Sequence, residues 1–243
     1  SLDAPAPSVA MHSPAPRHTT PVDVRSPSLP WLEENLRHTG TPGYRRRTPA
    51  ADGRLVTDLT AGEVVATSNP LHVAIEGSGF FLLRRGEQTV ATRCGEFDLD
   101  ADHNLVQRRT DGDWNLHPPI RVPADAARIR IVASGEVLAS RSGEGGDGAP
   151  LGVIQLGACL NPQHLAPVTG DLLAATAESG PLEAGRPGTG GRGRLRQGAL
   201  ELANATIARA REGSARLEAP ADLQSRASRL EATVLNPPGT VIR

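Results

Sequence analysis

The chain has 243 residues, room for one large domain or two small ones. Its net charge is −1, which gives no strong bias toward nucleic acid or an acidic lipid surface. All 26 basic residues are arginine and aromatics make up only 2%, so a core has to be built from Val, Ile, Leu and Ala.

Residues 1–28 are rich in Pro, Ala, Ser and Thr, and nine of the 21 prolines fall within residues 1–50. Each proline removes a backbone donor and disfavours helix at the residue before it, so an extended or disordered arm is expected. The first residues lack the basic start and apolar stretch of a secretory signal. The opening Ser1 is what a processed or trimmed piece would show.

Residues 29–53 are expected to hold one short helix. Pro30 suits its first turn, and Trp31, Leu32, Asn35 and Leu36 supply one or two turns before "GTPGYRRR" ends it.

From 54 to 177 the pattern predicts strands. Leu71, Val73 and Ile75 alternate with His72, Ala74 and Glu76, and "GFFLL" is a continuous apolar run, as in a strand covered on both faces. "EFDLDADHNLV" reads as strand, turn, strand, with Asp102-His103-Asn104 in the turn. Turn signals recur about every ten residues, which predicts an all-β domain, a sandwich or a partly open, barrel-like sheet.

Residues 178–198 read as a glycine-rich linker. A C-terminal helical segment is expected over 199–236, followed by a tail at 237–243. Leu200, Ala203, Ile207, Ala210, Ser214 and Leu217 are spaced three and four apart, a coiled-coil-like stripe suited to self-assembly. The fold class is therefore mainly β, flanked by a short N-terminal helix and a coiled-coil-like C-terminal one.

Motifs for chemistry fail on context. G-x-G-x-x-G occurs at Gly143, Gly145, Gly148 and at Gly188, Gly190, Gly193. The first lies between two strands and the second has no predicted strand before it, whereas a phosphate site needs strand, glycines and helix in that order. Asp98, Asp100 and Asp102 imitate a calcium loop, but His103 and Arg109 stand where that loop needs Gly and Glu. Ser78 lacks the first glycine of a nucleophile elbow. No histidine has metal or triad company. Cys94 and Cys159 have no zinc-ligand spacing; they read as two small buried hydrophobes, with a single disulfide as the alternative. Arg45, Arg46 and Arg47 read as a solvated basic run. Catalytic residues, cofactor and metal are thus all expected to be none, and no run approaches the ~18 apolar residues of a membrane helix.

The order of four blocks carries more. "ENLRHTGTPGYRRR" (34–47) resembles the N-terminal signature of bacterial flagellar rod and hook proteins, matched by Asn35, Leu36, Thr41, Pro42, Gly43, Tyr44 and Arg45. "NPLHVAIEGSGFFLL" is similar to the second block of that family through Asn69, Pro70, Gly77, Gly79, Phe80 and Phe81. "ATRCGEFDLDADHNLV" is similar to its continuation through Gly95 and Phe97, with His103 where the family pattern has glycine. "GRLRQGALELANATI" resembles the C-terminal block through Gln197, Gly198, Leu200, Glu201 and Asn204. The blocks span 34 to 207 in the family's order and lie nearest the basal-body rod branch, the distal rod in particular.

The resemblance implies a non-enzymatic structural subunit of the rod or hook axial tube, which transmits torque. Its partners would be itself, other axial proteins and the flagellar type III export apparatus, with no nucleic acid and no membrane insertion. It would sit in the basal body, exported without a cleaved signal peptide. The pattern is broken at both ends. The space for the family's first long helix is filled with prolines, and Gly213 and Pro220 interrupt the last one. Two further readings follow: a degenerate paralogue that keeps the β domain without polymerising, or a secreted β-rich binding module. The module would need an exposed aromatic platform, for which only Trp114 and Tyr44 are candidates.

Overall fold

The computed structural model describes residues 30–50, 53–143 and 146–206. The proline-rich arm, Ile207, Ala210 and Leu217 of the stripe, and the C-terminal tail lie outside the described residues.

A single helix, Pro30–Arg37, opens the described chain, with Pro30 in its first turn as the sequence predicts. It buries Trp31, Leu32, Asn35 and Leu36. Everything after it is strand and turn, apart from one 3-10 turn at Pro162–His164. The strands close no barrel among the described residues.

The central sheet is organised by Phe80–Arg85, whose residues 80–83 are all buried. One edge of this strand pairs with Gln88–Thr92. The other edge divides: Phe80 and Phe81 pair with Leu156–Ala158, while Leu83 and Arg84 pair with Trp114–Leu116. Strands Leu105–Gln107 and Asp98–Leu99 extend the sheet beyond Trp114–Leu116. A second sheet of three strands, Ala126–Ile131, Glu136–Arg141 and Ala149–Val153, brings Ile131 and Val137 into the same core.

That core comprises Val73, Ile75, Phe81, Leu83, Val90, Phe97, Leu105, Trp114, Leu116, Ile120, Ile131, Val137, Ile154, Leu156, Leu172 and Leu195. Aliphatic side chains dominate it, as the composition requires, around an edge-on Phe81–Phe97 pair with ring centroids 5.1 Å apart. Phe80, on the opposite face, packs separately with Ala91, Leu165 and Leu173.

Several expectations are corrected. The alternation at 71–76 is incomplete, because Val73, Ala74 and Ile75 are all buried and the middle of this strand is covered on both faces. Residues 178–198 are not a linker: Glu183–Gly185 and Arg194–Gln197 are strands, the latter paired with Val73–Glu76. A strand therefore does precede Gly188, but another strand rather than a helix follows Gly193.

The helix expected from residue 199 is absent over the described residues, where Ala199–Glu201 pairs as a strand with Val64–Ala66. All three residues of this strand are buried, so no period-two pattern marks it, and the spacing of Leu200 and Ala203 imitates a helix. Gly198, with φ of +68°, turns the chain between its last two strands.

Trp114 is 1% exposed and Tyr44 3%, so neither forms an exposed aromatic platform. Arg85 instead covers the Trp114 ring, its guanidinium carbon 4.3 Å from the centroid. Cys94 and Cys159 are both free, Cys94 buried and Cys159 partly so.

Candidate functional site

The four sequence blocks meet in space around Glu201. Its side chain is fully buried and its carboxylate accepts three hydrogen bonds, with one further ion-pair contact. Arg45 Nη2 donates to Oε1 at 2.6 Å, and the Gly62 backbone N–H donates to the same oxygen at 2.8 Å. Arg93 donates to Oε2 through Nε at 2.8 Å, and its Nη2 forms an ion-pair contact with the same oxygen at 2.6 Å. The remaining donors of Arg93 bind the carbonyl oxygens of Ile75, Gly77 and Gly79. One guanidinium thus ties the glycine bend before Phe80 to the last described strand. Burial pulls the Arg93 pKa down and the Glu201 charge partly restores it.

The N-terminal block is clamped on the same side. Gly43 donates its N–H to the Glu201 carbonyl at 2.7 Å. With φ of +70°, Gly43 lies so close to the segment just after Gln88–Thr92 that a Cβ would sit 2.1 Å from Cys94 N. Asn35 closes the helix end: its Oδ1 accepts from Arg47 N–H at 2.9 Å and from the Tyr44 hydroxyl at 3.1 Å, and its Nδ2 donates to the Arg47 carbonyl. Asn204 performs the matching role from the C-terminal side. It accepts from Arg46 N–H at 2.7 Å and donates to the Asp58 and Thr60 carbonyls. Tyr44 packs on Ala203 and Ala205. Burial, with Glu34 nearby, pushes its hydroxyl pKa up to about 12, so it stays a neutral donor.

The remaining block residues brace neighbouring joints. Gln197 accepts from Ile131 N–H and donates to the carbonyls of Pro70 and Ile129, joining the three-stranded sheet to the Asn69-Pro70 turn. Asn69 Oδ1 accepts from Leu71 N–H within that turn. A Cβ on Gly95 would fall 1.6 Å from the Val73 carbonyl oxygen, so the side-chain-free position lets two backbones touch.

A second buried carboxylate, Asp171, takes both terminal nitrogens of Arg109 at 2.8 Å and the Thr92 hydroxyl. Beside it lies a cleft of about 450 Å³ lined by Thr41, Pro42, Cys94, Phe97 and Arg109 among others. Burial pushes the Cys94 thiol up to about 12, which makes it unreactive.

Sequence reasoning missed the arginines. The run at 45–47 is not a solvated face: Arg45 is buried on Glu201, Arg46 pairs with Asp58 at 2.7 Å, and Arg47 donates to the Leu55 carbonyl. Arg93, Thr92, Arg109 and Asp171 received no role either. The available signal was an arginine between the apolar strand ending at Thr92 and the obligate glycine at 95. Of the expected self-assembly stripe, Leu200 and Ala203 are buried within the β fold rather than presented on a helix.

Among the described residues no group of His, Cys, Asp or Glu has the arrangement of a metal site. Asp100 accepts from the N–H groups of Asp102 and Asn104 and so closes a hairpin turn. What the fold and this Glu201 clasp define is a β-structured scaffold subunit whose polar groups hold its first and last described segments together.

The comparisons specify which scaffold. Residues 74–139 match the flagellar hook protein FlgE/F/G D1 domain. The flagellar basal-body rod protein FlgG of Borreliella burgdorferi is 34% identical over 181 residues, 74% of this chain and 66% of that protein. FlgG of Agrobacterium fabrum is 36% identical over 146 residues, 60% of this chain and 54% of the relative. FlgG of Bacillus subtilis is 29% identical over 171 residues, 69% and 64%. The chain belongs to the bacterial flagellar rod and hook protein family. It spans between about half and two thirds of the length of these relatives.

Proposed function

We propose that this chain is a structural, non-enzymatic subunit of the flagellar basal-body rod or hook. It would contribute to an axial tube that transmits torque through repeated contacts between copies and with other axial proteins. The observation that carries the reading is the convergence of all four family blocks on the buried Glu201 clasp, in a chain 34% identical to a rod protein over 74% of its length. A subunit that passes torque needs its terminal segments held rigidly together, and Asn35, Tyr44 and Asn204 tie the first described segment to the last. Export would use the flagellar type III apparatus, with the basal body as destination.

Mass spectrometry of purified hook–basal-body complexes tests the reading. Many copies of this chain per complex are expected. Recovery of the other rod and hook proteins without it would overturn the assignment.

A further inference from the structure

The described residues hold the main core, the Phe80 cluster and a small terminal cluster, each separate from the others. The main core draws on residues 73 to 195 and includes nothing from residues 30–67 or 198–206. The latter segments have their own small cluster, Tyr44 with Ala203 and Ala205. Within this terminal lobe the backbone is continuous in hydrogen bonds: Ala199–Glu201 pairs with Val64–Ala66, Gly43 N–H reaches Glu201 O, and Asn204 N–H reaches Tyr44 O. Across the boundary Gly43 lies against the Cys94 backbone, and polar bonds join lobe and body. These include the Arg93–Glu201 pair, Gly198 N–H to His72 O at 2.7 Å, Thr67 Oγ1 with His72 Nδ1 at 3.1 Å, Thr57 Oγ1 to Leu165 O at 3.3 Å, and an exposed Arg54–Glu178 pair.

We propose that the terminal lobe, residues 30–50 and 53–67 with 198–206, opens from the β body as one cooperative unit, and that Glu201 bridging Arg45 and Arg93 is the latch that holds it shut. Local opening follows lines where few apolar contacts cross and polar bonds can be re-formed with water. The boundary between the main core and the Tyr44 cluster is bridged by polar bonds of that kind. Glu201 is central because it serves both sides. It binds Arg45 within the lobe and Arg93 at the end of the body strand Gln88–Thr92. Gly198, between the paired strands Arg194–Gln197 and Ala199–Glu201, is the hinge: the first strand stays with the body through Leu195, and the second leaves with the lobe. The helix and the last described residues would come free together, because both are fastened to Tyr44–Arg47.

Native-state hydrogen exchange by mass spectrometry on the full chain, across low guanidinium concentrations, tests this. Amides at 43–47, 64–67 and 199–204 should share one opening isotherm, reached at lower denaturant than that of 81–92 and 105–116. In the Glu201→Gln chain the lobe amides should exchange about two to three orders of magnitude faster, since two buried guanidinium groups lose their anion. The central-sheet amides should keep their protection. One isotherm shared by lobe and sheet, or different isotherms for 43–47 and 199–204, would overturn the proposal. So would unchanged lobe protection in Glu201→Gln.

Discussion

Gly43 offers a sharp test because its conformation and its surroundings can be separated. Gly43 and Gly86 both adopt left-handed backbone, with φ of +70° and +59°. An alanine at Gly86 would meet nothing within 4 Å, whereas one at Gly43 would place Cβ 2.1 Å from Cys94 N and 2.3 Å from Arg93 C. Gly86→Ala should therefore cost only the left-handed term, about 1–2 kcal/mol. Gly43→Ala pays that and must also move backbone. The movement breaks the Gly43 N–H to Glu201 O bond, worth about 1 kcal/mol. It also pulls Arg45, two residues on, from a buried carboxylate, a loss of about 3–5 kcal/mol. The expected total exceeds about 5 kcal/mol, against 1–2 for the control. Thermal unfolding reads the difference: in a domain of this size 1 kcal/mol moves the midpoint by about 2–4 °C. Equal falls in the two variants would refute the close-approach argument.

Phe81→Ala should destabilise by about 3–5 kcal/mol, plus about 1 kcal/mol for the lost edge contact with Phe97, measured by denaturant unfolding. Phe80→Ala, in the smaller cluster, should cost less than Phe81→Ala. His103→Gly should stabilise by on the order of 0.5 kcal/mol, because His103 holds a φ of +63° that glycine adopts without strain; a lower midpoint would count against the turn assignment. Burial raises the Asp58 pKa, but hydrogen bonds from Thr60 and Arg46 outweigh it and hold the carboxyl below its ordinary 3.8. Its stabilisation is then complete above the unfolded-state value and lost as pH falls through the folded one, so Asp58→Asn should flatten the acid unfolding curve below about pH 4. Deleting residues 207–243 should leave the described fold intact by circular dichroism and midpoint. Deleting from residue 200 should unfold the terminal lobe by removing Glu201 and Asn204.

The β body was legible because its strands are patterned. "GFFLL" announced a doubly covered strand, and Phe80 to Leu83 are all buried. "DLDADHNLV" announced a hairpin, and Asp100 closes it. The short helix was marked by Pro30 and by the apolar pair Trp31-Leu32. The closing strands were hidden for a physical reason. Ala199–Glu201 is buried on both faces and only three residues long, too short for any period to show. The ion pairs were hidden because Arg45 and Glu201 lie 156 positions apart, and nothing local distinguishes a buried arginine from a solvated one. The resemblance located the blocks; it did not say that they touch.

The hidden part explains why a scaffold carries a buried charge cluster at all. Buried ion pairs are weak sources of net stability, because desolvation cancels much of the attraction. Their cost when mispaired is large, and that asymmetry is useful in a strand as short as Ala199–Glu201. With Ala199, Leu200 and Glu201 all buried, apolar patterning cannot tell one register from the next. A slip of one residue would set Leu200 or Leu202 against Arg45 and Arg93 and leave two guanidinium groups buried without an anion, at a cost of several kcal/mol. The carboxylate therefore fixes the register of the closing strand, which in turn fixes where residue 206 leaves the body relative to the helix at 30–37.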